Sequence, residues 1–383
     1  MKKKILFVLP SFEIGGTTVS VCNLVSVLDK TKYDITVWCL NEQGILQWMY
    51  NSIPRLKTNF VAQALALSGW REEKNWLRRI LAAGIRKLAH YPKIRQFLVK
   101  QSISSCIGNR VFDTVVSCQE GHASYVVSLI NAKNRVAWVR CDYNEYFKTH
   151  HGRKEFFYEK CNHVVCVAEK TRDNFVKIYP EYDKKTHCIY NPQDSSLITS
   201  QADIDDYDNR FDIDTDKIIL VSLGRLNKVK RFDQIPSIAR KLVDNGLQFV
   251  WYVIGDGEEK QTIANEVVKY KVEDYVKMLG GKSNPHFYIK RAYLYVCLSS
   301  SEACPRVVNE AKILSTPVVS TDFPTIYEYI EDGVNGRIVQ LEDVSQAITE
   351  LLNNQELYSN IKKEISAFTF DNSNLIKQLE EIL

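Results

Sequence analysis

Residues 299–322, SSSEACPRVVNEAKILSTPVVSTD, decide the fold. Glu302 and Glu310 stand eight positions apart, on either side of Pro305. An apolar stretch, Tyr293–Leu298, leads into them, and a second, Pro317–Ser320, follows. The pattern predicts strand, polar loop, helix, strand, with Pro305 in the first helical turn, where its missing N–H costs nothing. The free N–H groups at such a helix start face the crevice beyond the strand end, where open parallel sheets bind anionic ligands. One carboxylate is thus expected in the loop beside an anion site, and the other about one turn inside the helix.

Three neighbouring stretches extend this reading. In VSLGRLNKVKRFD, residues 221–233, a β-run from Ile218 to Leu223 ends at Gly224, with Arg225 next and Lys230 five residues beyond it. Glycine after a strand lets the backbone turn close to a ligand. An Arg fork and a Lys point charge reaching one spot suit a diphosphate. In FVWYVIGDGEEK, residues 249–260, a buried strand runs into Gly-Asp-Gly, which is turn chemistry. In TIYEYIEDGVNGRIV, residues 325–339, Glu328 and the Gly333/Gly336 pair precede a short strand.

In this order the four stretches resemble the C-terminal domain of retaining glycosyltransferases of the GT-B fold, family 4, with its Glu-x7-Glu signature. The resemblance implies an α/β GT-B architecture, two Rossmann-like parallel-sheet domains facing a central cleft. It implies that Glu302 contacts the transferred sugar and Glu310 the ribose hydroxyls of the nucleotide, with Arg225 and Lys230 on the diphosphate. Glu302, Arg225 and Lys230 are the catalytic candidates. The donor site is expected from Gly15, Gly16, Gly224, Arg225, Lys230, Gly255, Glu302, Ala303, Cys304, Pro305, Arg306, Val307 and Glu310.

At 383 residues the chain is long enough for two α/β domains. A hydrophobic content of 45% with 25% charged residues is that of a globular protein, and a net charge of +4 is too small for a general polyanion binder. The ten cysteines form no CxxC pair, so a reduced, cytosolic protein is expected. Neither they nor the seven histidines show zinc-ligand spacing. The opening MKKKILFVLPSF has too short an apolar run for a secretory signal and reads as a first core strand. No stretch approaches the length needed to span a bilayer.

Alternating β-like and helical segments imply parallel sheets in both halves. Strands are expected at Ile5–Leu9, Ile35–Leu40, Thr114–Ser117, Val136–Val139 and Val164–Val167, and a helix from about Thr17 to Leu28. Residues 1–192 form the expected acceptor-binding domain, and 193–216, polar and rich in aspartate, a linker. Residues 217–365 form the nucleotide-sugar domain, and 366–383 a terminal helix returning toward the first domain. Gly15-Gly16, after the first strand, is the expected second phosphate contact through backbone N–H groups, with a plain tight turn as the alternative. There is no GxGxxG, which opposes a dinucleotide-dependent oxidoreductase.

Arg71–Lys100 carries nine Lys/Arg against Glu72 and Glu73, with Leu77, Leu81, Ile85 and Leu88 at helical spacing and Trp70 and Trp76 near its start. A basic amphipathic helix of this type suits an anionic membrane surface, from which salt should release it. The alternative is a surface helix packing its Leu stripe onto the sheet. RNA binding is disfavoured, because no aromatic-studded motif accompanies the charge.

Acceptor contacts are expected from Arg140, Asp142 and Gly121. Many family members have a His where RVAWVRCDYNEY, residues 135–146, has Arg140. An Arg stabilises negative charge but cannot act as a base. His122, His150 and His151 read as surface or core histidines.

The resulting expectation is a metal-independent retaining glycosyltransferase that uses a nucleotide diphosphate sugar, UDP-linked by preference, as co-substrate and needs no cofactor. Its acceptor would be a lipid-linked or growing glycan of a surface polysaccharide, at the inner face of the membrane. The alternative from another class is a catalytically silent GT-B subunit that binds a nucleotide sugar or supports a partner enzyme. A phosphorylase or sugar-nucleotide epimerase is a further possibility within the fold.

Overall fold

The computed structural model describes residues 1–13, 15–66, 75–204 and 217–383. They form two compact units: Met1–Pro192 with Asn372–Leu383, and Gln193–Asp371.

The first unit is built on a seven-stranded parallel sheet, β1 (Lys3–Ser11), β2 (Tyr33–Asn41), β3 (Arg55–Leu56), β4 (Thr114–Ser117), β5 (Asn134–Val139), β6 (His163–Cys166) and β7 (Thr186–Cys188), in the order β3-β2-β1-β4-β5-β6-β7. Ile5 to Leu9 are fully buried, so the uninterrupted apolar run of β1 marks a strand covered on both faces. β1 pairs with β2 on one side (Ile5 opposite Ile35) and with β4 on the other (Ile5 opposite Thr114). The order reverses there, and in open α/β sheets ligands bind beyond the strand ends at such a reversal. From the end of β1 the chain enters the helix Gly16–Val27, with Gly15 at its cap.

The second unit carries six parallel strands, β8 (Ile218–Leu223), β9 (Phe249–Ile254), β10 (Val276–Gly280), β11 (Leu294–Cys297), β12 (Val318–Thr321) and β13 (Arg337–Val339), ordered β10-β9-β8-β11-β12-β13. Here the reversal falls between β8 and β11. The loops that follow those two strands carry Gly224–Lys230 and Ser299–Pro305. Apolar residues of the central strands, Leu220, Trp251, Val253, Leu294 and Val296, share one buried cluster with Ile238 and Leu242 of the helix Ile235–Asp244.

The boundaries differ from those expected in two places. Residues 195–203, expected as linker, form a helix of the second unit (Ser195–Asp203) capped by Asp194. That helix docks on the segment around the short helix His286–Arg291. Asn284 Nδ2 donates to the Gln201 carbonyl at 2.7 Å, and the Arg291 guanidinium to that of Ala202 at 3.0 Å. Residues 205–216 of the expected linker lie outside the described residues. At the other end, residues up to Asp371 stay with the second unit, and the helix Ser373–Ile382 belongs to the first. There Asn134 Nδ2 donates to the Ile382 carbonyl at 2.7 Å.

Arg71–Lys100 resolves into two helices rather than one, Trp76–Leu88 and Pro92–Ile107, with residues 71–74 outside the description. Asn75 caps the first by accepting from the Leu77 and Arg78 amides, and Pro92 opens the second, where its fixed φ fits. No helix among the described residues is long and apolar enough to cross a membrane.

Candidate active site

β8 ends at Gly224, whose amide donates to the Ile254 carbonyl at 3.0 Å. Gly255, at the end of β9, has φ +147, and a Cβ there would lie 1.8 Å from the Gly224 carbonyl oxygen. The two glycines therefore let adjacent strand ends close against each other. Lys230 then folds back over the turn, its Cε at 3.2 Å from where a Gly224 Cβ would sit. Its own short 3-10 turn, Lys228–Lys230, is capped by Asn227, whose side chain accepts from the Lys230 amide at 3.1 Å.

Lys230 reaches across the sheet reversal to Glu302. The Nζ–Oε1 separation is 2.5 Å, and the side chains are only 19% and 14% exposed. Burial alone pulls the Lys230 ammonium down, but the Glu302 carboxylate, helped by Cys297, outweighs it and holds the group above its ordinary value. Ser299 Oγ donates to the same Glu302 oxygen at 2.7 Å, and the Ser300 amide donates to the Val229 carbonyl at 2.8 Å. These bonds fasten the loop after β11 to the loop after β8.

The helix that follows spans Arg306–Ile313, with Pro305 at its cap position rather than inside the first turn. Ala303 is buried, and the Tyr329 hydroxyl donates to Cys304 Sγ at 3.2 Å. Arg306, Val307 and Cys304 are half-buried around the helix start.

Glu310, one turn in, is enclosed, at 1% exposure. Its Oε1 lies 3.2 Å from the Arg306 guanidinium and its Oε2 3.4 Å from His286 Nε2. Burial pushes the carboxyl up, but Arg306 and then His286 pull harder, and it settles at about 2. Glu310 Oε2 and His286 Nε2 face each other, and neither has a second partner among the described residues. Buried polar atoms with so few partners are uncommon. His286 is aimed by the helix Ser195–Asp203, its Nδ1 at 3.0 Å from Gln201 Oε1. Nothing in the local sequence SNPHFY marks it as part of a site; only the tertiary docking of residues 195–203 brings it to Glu310.

Arg225, expected beside Lys230, follows Gly224 at the start of the same loop. Its side chain is 62% exposed, and its Nε lies 3.6 Å from Glu258.

In the first unit, Gly15 and Gly16 have no neighbour that a Cβ would strike. Their role as a phosphate contact would have to rest on backbone N–H groups alone. Arg140 follows β5. Its amide donates to Glu120 at 2.8 Å, its guanidinium donates to Asn191, and it lies over the Trp138 ring at 4.7 Å. Asp142 caps the helix Tyr143–Thr149 by accepting from the Asn144 amide at 3.0 Å. Gly121, at φ +75, caps the helix His122–Leu129, and a Cβ there would meet the Tyr146 hydroxyl at 2.9 Å. Asp142 and Gly121 thus have structural duties beside any acceptor contact. Burial, with Arg95 adding to it, pulls His122 down to about 3, so its imidazole is neutral.

Strand order, sheet reversals and loop placement define the GT-B fold, and solved structures agree. One of Anabaena Alr3699/HepE in complex with UDP-glucose matches with a TM-score of 0.75 at 17% identity, covering 99% of this chain and 98% of that one. Residues 203–367 match the family model described as "Glycosyl transferases group 1". Among curated relatives, the N-acetyl-alpha-D-glucosaminyl L-malate synthase of Bacillus anthracis is 26% identical over 52% of this chain and 54% of its own. The lipopolysaccharide core biosynthesis glycosyltransferase LpsE of Rhizobium meliloti is 25% identical over 40% of this chain and 43% of its own. The chain spans about half the length of the curated relatives it matches.

Proposed function

We propose that the protein is a retaining glycosyltransferase that moves a sugar from a UDP-sugar to a lipid-linked or growing glycan of a surface polysaccharide. It would be a cytosolic protein that works at the inner face of the membrane. The observation that carries the reading is the pair of acidic groups on either side of one helix start. Glu302 is held by Lys230, while Glu310 is held by Arg306 on one oxygen and faces His286 with the other. UDP is favoured because the structural neighbour holds UDP-glucose, and a polysaccharide acceptor because LpsE acts in lipopolysaccharide core biosynthesis.

In this reading the bond from sugar C1 to the diphosphate oxygen breaks as an acceptor hydroxyl attacks C1 from the same face. The hydroxyl proton passes to the departing phosphate oxygen. Lys230 and the helix start at Arg306 stabilise the leaving charge, and such preorganised charge is usually the largest catalytic term. Arg225 would join them by leaving Glu258, an exposed partner that holds it weakly. Glu302 turns to the sugar hydroxyls once the diphosphate engages Lys230. Glu310 Oε2 and His286 Nε2 receive the ribose hydroxyls. Arg140 would face the acceptor.

A screen of nucleotide diphosphate sugars by thermal shift, followed by a donor-hydrolysis assay, tests this. UDP-sugars should stabilise the protein and be slowly hydrolysed. Indifference to every nucleotide sugar would overturn the reading. Stabilisation without hydrolysis or transfer would favour the silent subunit, which Arg140 supports, because its guanidinium is engaged by Asn191 and Trp138 rather than offering a base.

A further inference from the structure

The helix Trp76–Leu88 wears its apolar stripe on the outside. Its packed side is made of Ala82 and Ile85, which meet Phe60 and Ala64 of the neighbouring helix Phe60–Ala66, with Arg78 laid over the Phe60 ring at 5.2 Å. At 3.6 residues per turn, Trp76 and Ile80 fall on the opposite side, and Leu77, Leu81 and Leu88 on one flank. All are more than half exposed, Trp76 at 65% and Ile80 at 61%, and Tyr91 and Phe97 are exposed beside them. The Leu stripe therefore does not pack onto the sheet. Proteins that stay in water seldom leave so large an apolar face bare.

We propose that this face inserts into an anionic lipid surface, deepening the membrane placement made under the proposed function. Charge chooses the occupant. From residue 75 to residue 112 the sequence has eight Lys/Arg and no Asp or Glu. Arg79 flanks the exposed apolar side chains, Lys87 lies among them, and Lys93 opens the next helix. Two copies of the chain meeting through this face would bring like charges together with no carboxylate to offset them. A polynucleotide would satisfy the cations but leave the Leu and Ile side chains in water. An anionic leaflet takes both, cations at the headgroups and the Trp/Leu/Ile face below them. The apolar contact also means that salt weakens the attachment rather than ending it, unlike the release expected from charge alone.

The test is co-sedimentation of the full chain with phosphatidylcholine vesicles, with and without phosphatidylglycerol. Trp76 fluorescence and UDP affinity would be followed in parallel. Wild type should bind the anionic vesicles, with a blue shift, and keep part of the binding at 1 M salt, where the Debye length is about 3 Å. Trp76→Ser/Ile80→Ser/Leu81→Ser should lower partitioning about a hundredfold. Arg79→Glu/Lys87→Glu should weaken low-salt binding toward the level that wild type keeps at 1 M salt. Both variants alter exposed side chains and should keep wild-type UDP affinity, which also checks that they fold. Wild type that ignores anionic vesicles, or an apolar variant that binds as well as wild type, overturns the proposal. So does concentration-dependent self-association, or nucleic-acid binding, that the apolar variant loses without lipid. Vesicle binding by a protein indifferent to every nucleotide sugar would sink the enzymatic reading and leave this one standing.

Discussion

Replacing Glu310 by Gln removes one charge from a buried site, and the cost can be worked from its surroundings. An ordinary glutamate carboxyl titrates near 4.5, and here Arg306 and His286 hold it at about 2 against the opposing effect of burial. That gap corresponds to about 3 kcal/mol of folding free energy at neutral pH. An independent route agrees: stripping one partner from a buried ion pair typically costs about 3–5 kcal/mol, because the other charge is left unmatched. The folded-state value lies below the unfolded one, so the stabilisation is fully present above about pH 4.5 and is lost as the pH falls toward 2. Glu310→Gln should therefore be less stable than wild type by about 3 kcal/mol at pH 7, with the difference closing through that acid window.

A two-unit chain need not unfold in one step, so the measurement belongs on the second unit alone. Hydrogen exchange at the amides of β8, β9 and β11 reports its opening free energy in the intact chain. Equal protection in wild type and variant at pH 7, or a deficit unchanged down to pH 2, would refute the electrostatic account. The same samples separate packing from binding. If Oε2 takes a ribose hydroxyl, UDP should stabilise the variant less than wild type by about 1.5–3 kcal/mol, the range for hydrogen bonds to charged groups. An identical UDP increment in both would leave Glu310 a structural anion only.

Lys230→Ala should weaken UDP binding by about 1.5–3 kcal/mol, read by calorimetry, and unchanged affinity would remove Lys230 from the diphosphate site. Glu302→Gln should do the reverse, tightening UDP by freeing Lys230 from its 2.5 Å partner while sugar transfer collapses. Tight UDP with full transfer would show that Glu302 does not hold the sugar. Transfer should continue in EDTA, because Lys230, Arg225 and the helix start are there to neutralise the diphosphate; loss of turnover restored only by magnesium or manganese would contradict this.

What the sequence disclosed followed the strength of its local signal. The central strands announced themselves as unbroken apolar runs, and β8 and β11 led directly to the loops with Lys230 and Glu302. β3 and β7, two and three residues long, have no run to read and exist only because a neighbouring strand offers an edge. The helix Ser195–Asp203 was hidden in an aspartate-rich stretch, since its anchors, Asn284, His286 and Arg291, lie more than eighty positions away. For the same reason His286 was missed, although it faces Glu310. Spacing placed Glu310 on the helix but could not show that Arg306 and His286 enclose it, and an opening onto solvent was the natural reading. Periodicity likewise revealed a stripe on Trp76–Leu88 without saying which way it faces. Nor does spacing show that Glu258, supplied by the neighbouring loop, is a partner for Arg225 at the rim.

The charges around the helix start are hard to explain as stabilising devices. Lys230, Glu302, Arg306 and Glu310 are at most one-fifth exposed, and desolvating such groups offsets most of what their attraction returns. Apolar side chains of similar volume would serve the fold as well or better, so retention of the pair points to what it does when a ligand enters. The claim can be tested on the less enclosed pair. Lys230→Met and Glu302→Leu should each destabilise the second unit, because each strands one partner, by about 3 kcal/mol as an upper figure. The double variant Lys230→Met/Glu302→Leu should recover most of that loss and come within about 1 kcal/mol of wild type, a coupling that a double-mutant cycle measures directly. It should also be dead in transfer and weak in UDP binding. If the double variant instead loses the sum of the two single effects, the pair is part of what keeps the fold together. Its position at the β8/β11 reversal would then say nothing about catalysis.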